Sequence, residues 1–81
     1  MIRIPNRIIE TYAYKDFIIE VCKEECQGLE TYCAYLHRED CGIKDYMFGV
    51  DVNDHSLDEF IALVDANLDD YIVGYEEAYE I

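Results

Sequence analysis

Six side chains could ligate a metal or act as nucleophile and base: Cys22, Cys26, Cys33, Cys41, His37 and His55. Structural zinc is held by close ligand pairs with two to four residues between their members. Cys22-x3-Cys26 makes one such pair, and Cys33-x3-His37 would have to supply the second. The cysteine run, C-x3-C-x6-C-x7-C, fits no established ligand pattern. No metal or other cofactor is expected, and the cysteines read as buried or half-buried free thiols. Asp51-Val52-Asn53-Asp54 begins like a calcium loop, but the sixth and twelfth positions are Ser56 and Ala62, where Gly and Glu are required. Catalysis has equally little to work with. Cys33 and His37 fall two pleats apart on one strand face, and a reactive thiolate needs an electropositive setting. No glycine-rich phosphate loop, nucleophile elbow or HExxH is present. The chain is expected not to be an enzyme.

The carboxylates are the other chemical resource. The 81 residues hold 19 Asp and Glu against 6 Lys and Arg, a net charge of −13. The asymmetry is sharper than the total. Residues 1–44 hold all six basic residues and a net of −2, whereas residues 45–81 hold eleven acids and no Lys or Arg. Direct nucleic-acid binding through counterion release needs basic side chains and is excluded. An anionic membrane surface is excluded as main partner for the same reason. No apolar run reaches the roughly 18 to 20 residues of a membrane span, and residues 1–14 lack the apolar stretch of a signal peptide. The expected compartment is the cytoplasm, where the four cysteines would stay reduced.

The elements that position these groups follow from periodicity. A chain of this size makes one domain, 1–81, and 52% hydrophobic content is too high for disorder. Ile8–Tyr14 and Phe17–Cys22 are rich in aromatic and β-branched residues and are separated only by Lys15 and Asp16. That spacing predicts a two-residue hairpin, with Asp16 in the left-handed conformation. Tyr14 then faces Phe17, Tyr12 faces Ile19 and Glu10 faces Val21, and the aromatic and aliphatic members of these pairs share the core face. Gln27, Gly28 and Leu29 read as the next turn. Thr31–His37 is the third strand, with Tyr32, Ala34 and Leu36 on one face. Tyr46–Val52 is the fourth, with Tyr46, Phe48, Val50 and Val52 alternating with Met47, Gly49 and Asp51.

The period then changes. Ser56-Leu57-Asp58-Glu59 fits a capping box. From there Leu57, Phe60, Ile61, Val64, Leu68, Tyr71, Ile72, Tyr75 and Tyr79 recur at three- and four-residue steps, within an arc of roughly 120°. Gly74 is either an interior glycine or a stop, in which case Tyr75–Ile81 is a separate tail. The predicted fold is α+β, a four-stranded antiparallel meander covered on one face by a C-terminal amphipathic helix (ββββα). Its uncovered face would carry Ile9, Ile18, Cys22, Cys33, Tyr35 and Met47. A homodimer, another partner, a loop or the N-terminal arm could cover it.

On the helical wheel, Asp58, Asp65, Asp69 and Glu76 form one row opposite the apolar stripe, and Glu59, Asp70 and Glu77 a second. From Asp58 to Glu76 is about 27 Å. No basic residue interrupts the rows, and Glu76, Glu77 and Glu80 oppose the helix dipole at its C-terminus. Such rows present the sign and extent of a line of phosphates, so a partner that grips nucleic acid with Lys and Arg would be steered to them. The competing reading is a solvated face that keeps a small protein soluble.

In size, in charge and in the acidic segment Asp45–Ile81, the chain resembles the small acidic DNA-mimic inhibitors of phages and mobile elements, among them anti-CRISPR proteins. The resemblance is to the class, and no residue-level role carries over from it. It implies an inhibitor acting in the bacterial host cell on a basic nucleic-acid-binding protein such as a nuclease or CRISPR effector. The expected contacts are Asp58, Asp65, Asp69, Asp70, Glu76 and Glu77. The alternative is a small homo-oligomeric structural or regulatory module.

Overall fold

The computed structural model describes residues 7–79; residues 1–6, Glu80 and Ile81 lie outside the described residues. Four strands and one helix follow in chain order: β1 (Arg7–Tyr14), β2 (Phe17–Cys26), β3 (Leu29–Arg38), β4 (Asp45–Asp51) and α1 (Leu57–Tyr79). Each strand pairs antiparallel with its sequence neighbour, giving one open sheet in the order β1-β2-β3-β4. The predicted ββββα arrangement is the observed one. The shortest dimension, 18 Å, is that of one sheet and one helix.

Both tight turns have two residues, and their backbones explain the residue types. Gln27 and Gly28 take φ of 53° and 81°, the paired left-handed conformation that suits the twist of a hairpin. In the first hairpin the left-handed residue is Lys15, with φ 55°, and not Asp16. Glycine would avoid the steric cost at that position. Lys15 instead projects its ammonium to Asp69 on the helix, 3.2 Å away. The register around this turn is the expected one, with Tyr14 opposite Phe17, Tyr12 opposite Ile19 and Glu10 opposite Val21.

Two bulges change which side chains face where. On β1 the pairs Ile8–Cys22 and Glu10–Val21 leave Ile9 as an extra residue. On β4 the pairs Cys33–Gly49 and Tyr35–Tyr46 set three steps against two. Simple alternation therefore fails on β4. Met47, expected on the uncovered face, is only 6% exposed and belongs to the core. Phe48 beside it also packs on the core. Tyr46 crosses to the uncovered face with Tyr35, their rings 5.5 Å apart edge to face. Gly49 makes room for it, because a Cβ there would come within 2.8 Å of the Tyr46 hydroxyl.

The core lies between the helix and the inner face of the sheet. Phe17, Ile19, Val21, Ala34, Leu36 and Met47 from the strands meet Phe60, Val64, Leu68, Ile72 and Tyr75 from the helix. Phe60, with no exposed surface, stacks on Tyr32 at 6.0 Å and meets Phe48 edge to face at 5.4 Å. The capping box forms as predicted: the Glu59 amide donates to Ser56 Oγ at 3.2 Å, and the Ser56 amide donates to Glu59 Oε1 at 2.8 Å. Asp51 accepts from the Asn53 amide at 2.8 Å in the turn that ends β4, so its carboxylate serves the chain reversal. The helix runs unbroken through Gly74 to Tyr79. Its last turns are held by tyrosines. Tyr75 donates to the Ile43 carbonyl at 2.7 Å and Tyr79 to Asp45 at 2.6 Å, pinning the loop between β3 and β4.

Candidate functional site

The helix carries the candidate site, and its packing sorts the six expected contact residues into two groups. All six are exposed. Asp65 and Asp69 lie on the flank nearest β1 and are bound there. Asp65 accepts from the Tyr12 hydroxyl at 2.8 Å. Asp69 accepts from the Tyr14 hydroxyl at 3.0 Å and from Lys15 at 3.2 Å. These two carboxylates hold the helix to the edge of the sheet as well as facing solvent. The Lys15 ammonium and the Tyr14 hydroxyl hold the Asp69 carboxyl below its ordinary range. Burial and the hydrogen bond to Asp65 push the Tyr12 phenol up.

A depressed carboxyl adds stability that is complete above its unfolded pKa of about 3.9 and is lost as pH falls through the folded value. Asp69→Asn should therefore be less stable than the parent at neutral pH, and the gap should close on acidification below about pH 4. Urea titrations at a series of pH values read this directly. The effect should be modest because the pair is 62% and 69% exposed and water screens it.

Asp58, Asp70, Glu76 and Glu77 form the second group. No hydrogen bond or ion pair joins them to another side chain among the described residues, and the last helical turn has no basic residue. Between the two acidic rows, Ala62, Ala66 and Val73 fall at successive positions on the outer wheel, and Val73 is 52% exposed. The outer face is thus a low apolar ridge flanked by carboxylates. Charge supplies encounter rate and salt dependence, while desolvated apolar contacts supply selectivity. The ridge follows from the 3.6-residue period, although the apolar stripe on the opposite side draws attention first. The tyrosine clamps on Asp65 and Asp69 have no sequence signal, because they depend on how the helix crosses the strands.

Among the described residues the thiols and histidines do not converge. No group of three or more His, Cys, Asp or Glu could hold a metal among the described residues. Cys22 and Cys33 are paired partners on β2 and β3 and are both buried. Burial, with the Glu20 and Glu24 charges adding, pushes the Cys22 thiol up to about 11. Burial likewise raises Cys33. His37 directs Nδ1 at the carbonyls of Arg38 and Cys41, at 3.1 and 3.3 Å, and Nε2 toward Glu20 at 3.8 Å. It is therefore occupied away from Cys33.

Cys41 is partly exposed, and contacts from the Tyr75 hydroxyl and the Ile43 amide favour its thiolate. The Tyr75 hydroxyl has a single proton, however, and donates it to the Ile43 carbonyl. Exposure is accordingly the firmer reason for reactivity at Cys41. Iodoacetamide at neutral pH should label Cys41 ahead of Cys22 and Cys33, which should react only after unfolding. Peptide mass mapping would check the order.

Comparison with known protein families, curated proteins and solved structures finds no match to this chain. No helix among the described residues is long and apolar enough to cross a membrane. The function must therefore be argued from the site's own chemistry.

Proposed function

We propose that this protein is a non-enzymatic inhibitor that occupies the nucleic-acid-binding surface of a basic partner, with α1 standing in for a stretch of phosphates. A nuclease or CRISPR effector in the cytoplasm of a bacterial host has the required chemistry, as for the anti-CRISPR and other DNA-mimic proteins that the chain resembles. The observation that carries this reading is the set Asp58, Asp70, Glu76 and Glu77, which no ion pair neutralises among the described residues, on a 23-residue helix whose last turn has no cation. Optimisation for stability alone would place Lys or Arg in that turn, where they complement the dipole. Asp65 and Asp69 widen the negative field while fixing the helix in place. Val73 and its small neighbours provide an apolar strip for the partner to cover.

The test is affinity capture from bacterial lysate with the tagged chain, eluted by a salt gradient. The expected result is a basic nucleic-acid-binding protein, released by salt and displaced by added DNA or RNA. Capture that is insensitive to both salt and nucleic acid would overturn the proposal.

A further inference from the structure

The sheet face turned away from the helix is a second surface of a different kind. Across its middle run Thr11, Glu20, Tyr35 and Tyr46, and beside them Ile8, Cys22, Cys33 and Gly49, by the strand registers. Three large side chains on this face are well exposed: Ile8 at 52%, Tyr46 at 56% and Leu29, at the hairpin end, at 64%. A shallow groove of about 230 Å³ passes between Ile8, Cys22, Tyr35, Glu20 and Lys44.

The charges here are largely internally matched, unlike those of α1. Lys44 donates to Glu20 at 2.9 Å, and His37 lies 3.8 Å from the same carboxylate. Glu24 is only 7% exposed and accepts from the Tyr35 hydroxyl. The Tyr46 ring lies across Gly49, edge to face with Tyr35, and presents a broad aromatic surface. Tyrosine of this kind is enriched where proteins associate.

We infer that this face binds a second copy of the chain, sheet against sheet, about a twofold axis. Charge decides between the possible modes of self-association. A chain of net charge −13 repels its copies, so only a mode that keeps the acidic helices apart is tolerable. Pairing two β1 edges would put both helices on the same side of one extended sheet. Stacking the open faces puts them on opposite outer sides. With sheets about 10 Å apart, the helix axes are then separated by roughly 30 Å. That is about three screening lengths at 0.1 M ionic strength.

The stacking brings the exposed aromatic surfaces together and leaves the Lys44–Glu20 pair of each copy intact. Four strands of seven to ten residues offer a face of about 600 Å² in projection. The accessible area of such a face is of the order of the 800 Å² that each partner buries in an ordinary stable interface. The dimer leaves both acidic helices free, so it does not depend on the proposed inhibitory function.

Sedimentation or light scattering of the full chain tests this, from about 10 μM to 1 mM. The expected mass rises from 9.5 kDa toward twice that value with concentration. It should rise further as salt goes from about 0.05 to 0.5 M, because screening relieves the repulsion between like-charged copies. Tyr46→Glu and Ile8→Glu should both give monomers with an unchanged circular dichroism spectrum. Val73→Glu, which adds the same charge on the helix, should still dimerise. A monomer at the highest concentration and salt overturns the inference. So does a dimer that survives both sheet-face variants, or one that Val73→Glu abolishes.

Discussion

Phe60→Ala should remove most of the stability of this protein. Phe60 is fully buried where the helix meets Tyr32 and Phe48. Truncating such a residue costs about 3 to 5 kcal/mol, the transfer of the ring plus the cavity it leaves. A domain of 81 residues has a total of only about 4 to 12 kcal/mol. The net charge of −13 places this one toward the low end, through self-repulsion in the compact state. With a urea slope of about 1 to 2 kcal/mol/M, the unfolding midpoint should fall by roughly 2 to 4 M, or the variant should be unfolded without denaturant. Val73→Ala, on the exposed side of the same helix, should leave the midpoint nearly unchanged. A Phe60→Ala midpoint within about 1 M of the parent would show that the helix does not close the core in this way.

Reversing the carboxylates that the strands do not hold should do the opposite, weakening binding sharply while leaving the fold intact. Asp58→Lys, Asp70→Lys and Glu77→Lys change the net charge by six and touch no carboxylate that the strands hold. Steering by a charged surface is worth about 10- to 1000-fold in association rate. Affinity for the partner recovered by capture should therefore drop by about 100-fold at low salt, and the difference should narrow as salt rises. The change at Glu77 places a cation at the helix C-terminus, where it gains a few tenths of a kcal/mol, and this offsets the similar loss from a cation at Asp58 in the first turn. A variant that melts no lower than the parent yet fails to bind would separate function from folding. Undiminished affinity at low salt would sink the mimic reading. Asp65 and Asp69 must be spared, since reversing either would set an ammonium beside Tyr12 or beside Tyr14 and Lys15 and loosen the helix.

The sequence was most legible where a local rule fixes the answer. Alternation gives the inner faces of β2 and β3. The two-residue spacing at Lys15 and Asp16 gives the first hairpin, and Ser56 with Glu59 gives the helix start; the second turn is shorter than the expected Gln27–Leu29, because Leu29 already pairs with Cys26. Alternation fails at Tyr46 and Met47, because a bulge adds a residue and period-2 arithmetic has no way to place it. Gly74 reads equally as an interior glycine or as a stop. The helix passes it because Tyr75 and Tyr79 beyond it find partners at Ile43 and Asp45. The acidic rows were plain from spacing. Their division into clamped and free members was not, since it depends on Tyr12 and Tyr14 lying 53 and 55 residues away.

That separation bears on how the molecule assembles and comes apart. Every strand pairs with its neighbour in the chain, so the two hairpins can close within microseconds, independently of the helix. The contacts of α1 with β1 must close loops of more than fifty residues and should form last. In the native state the corresponding fluctuation is the helix lifting away, which would bare Ile19, Val21, Ala34 and Leu36 together. Amide exchange in α1 should then be faster than in β2 and β3. A bared apolar sheet is the usual seed of aggregation, and here the seed carries its own safeguard. The lifted helix remains tethered as a polyanionic brush that keeps one opened molecule away from the next.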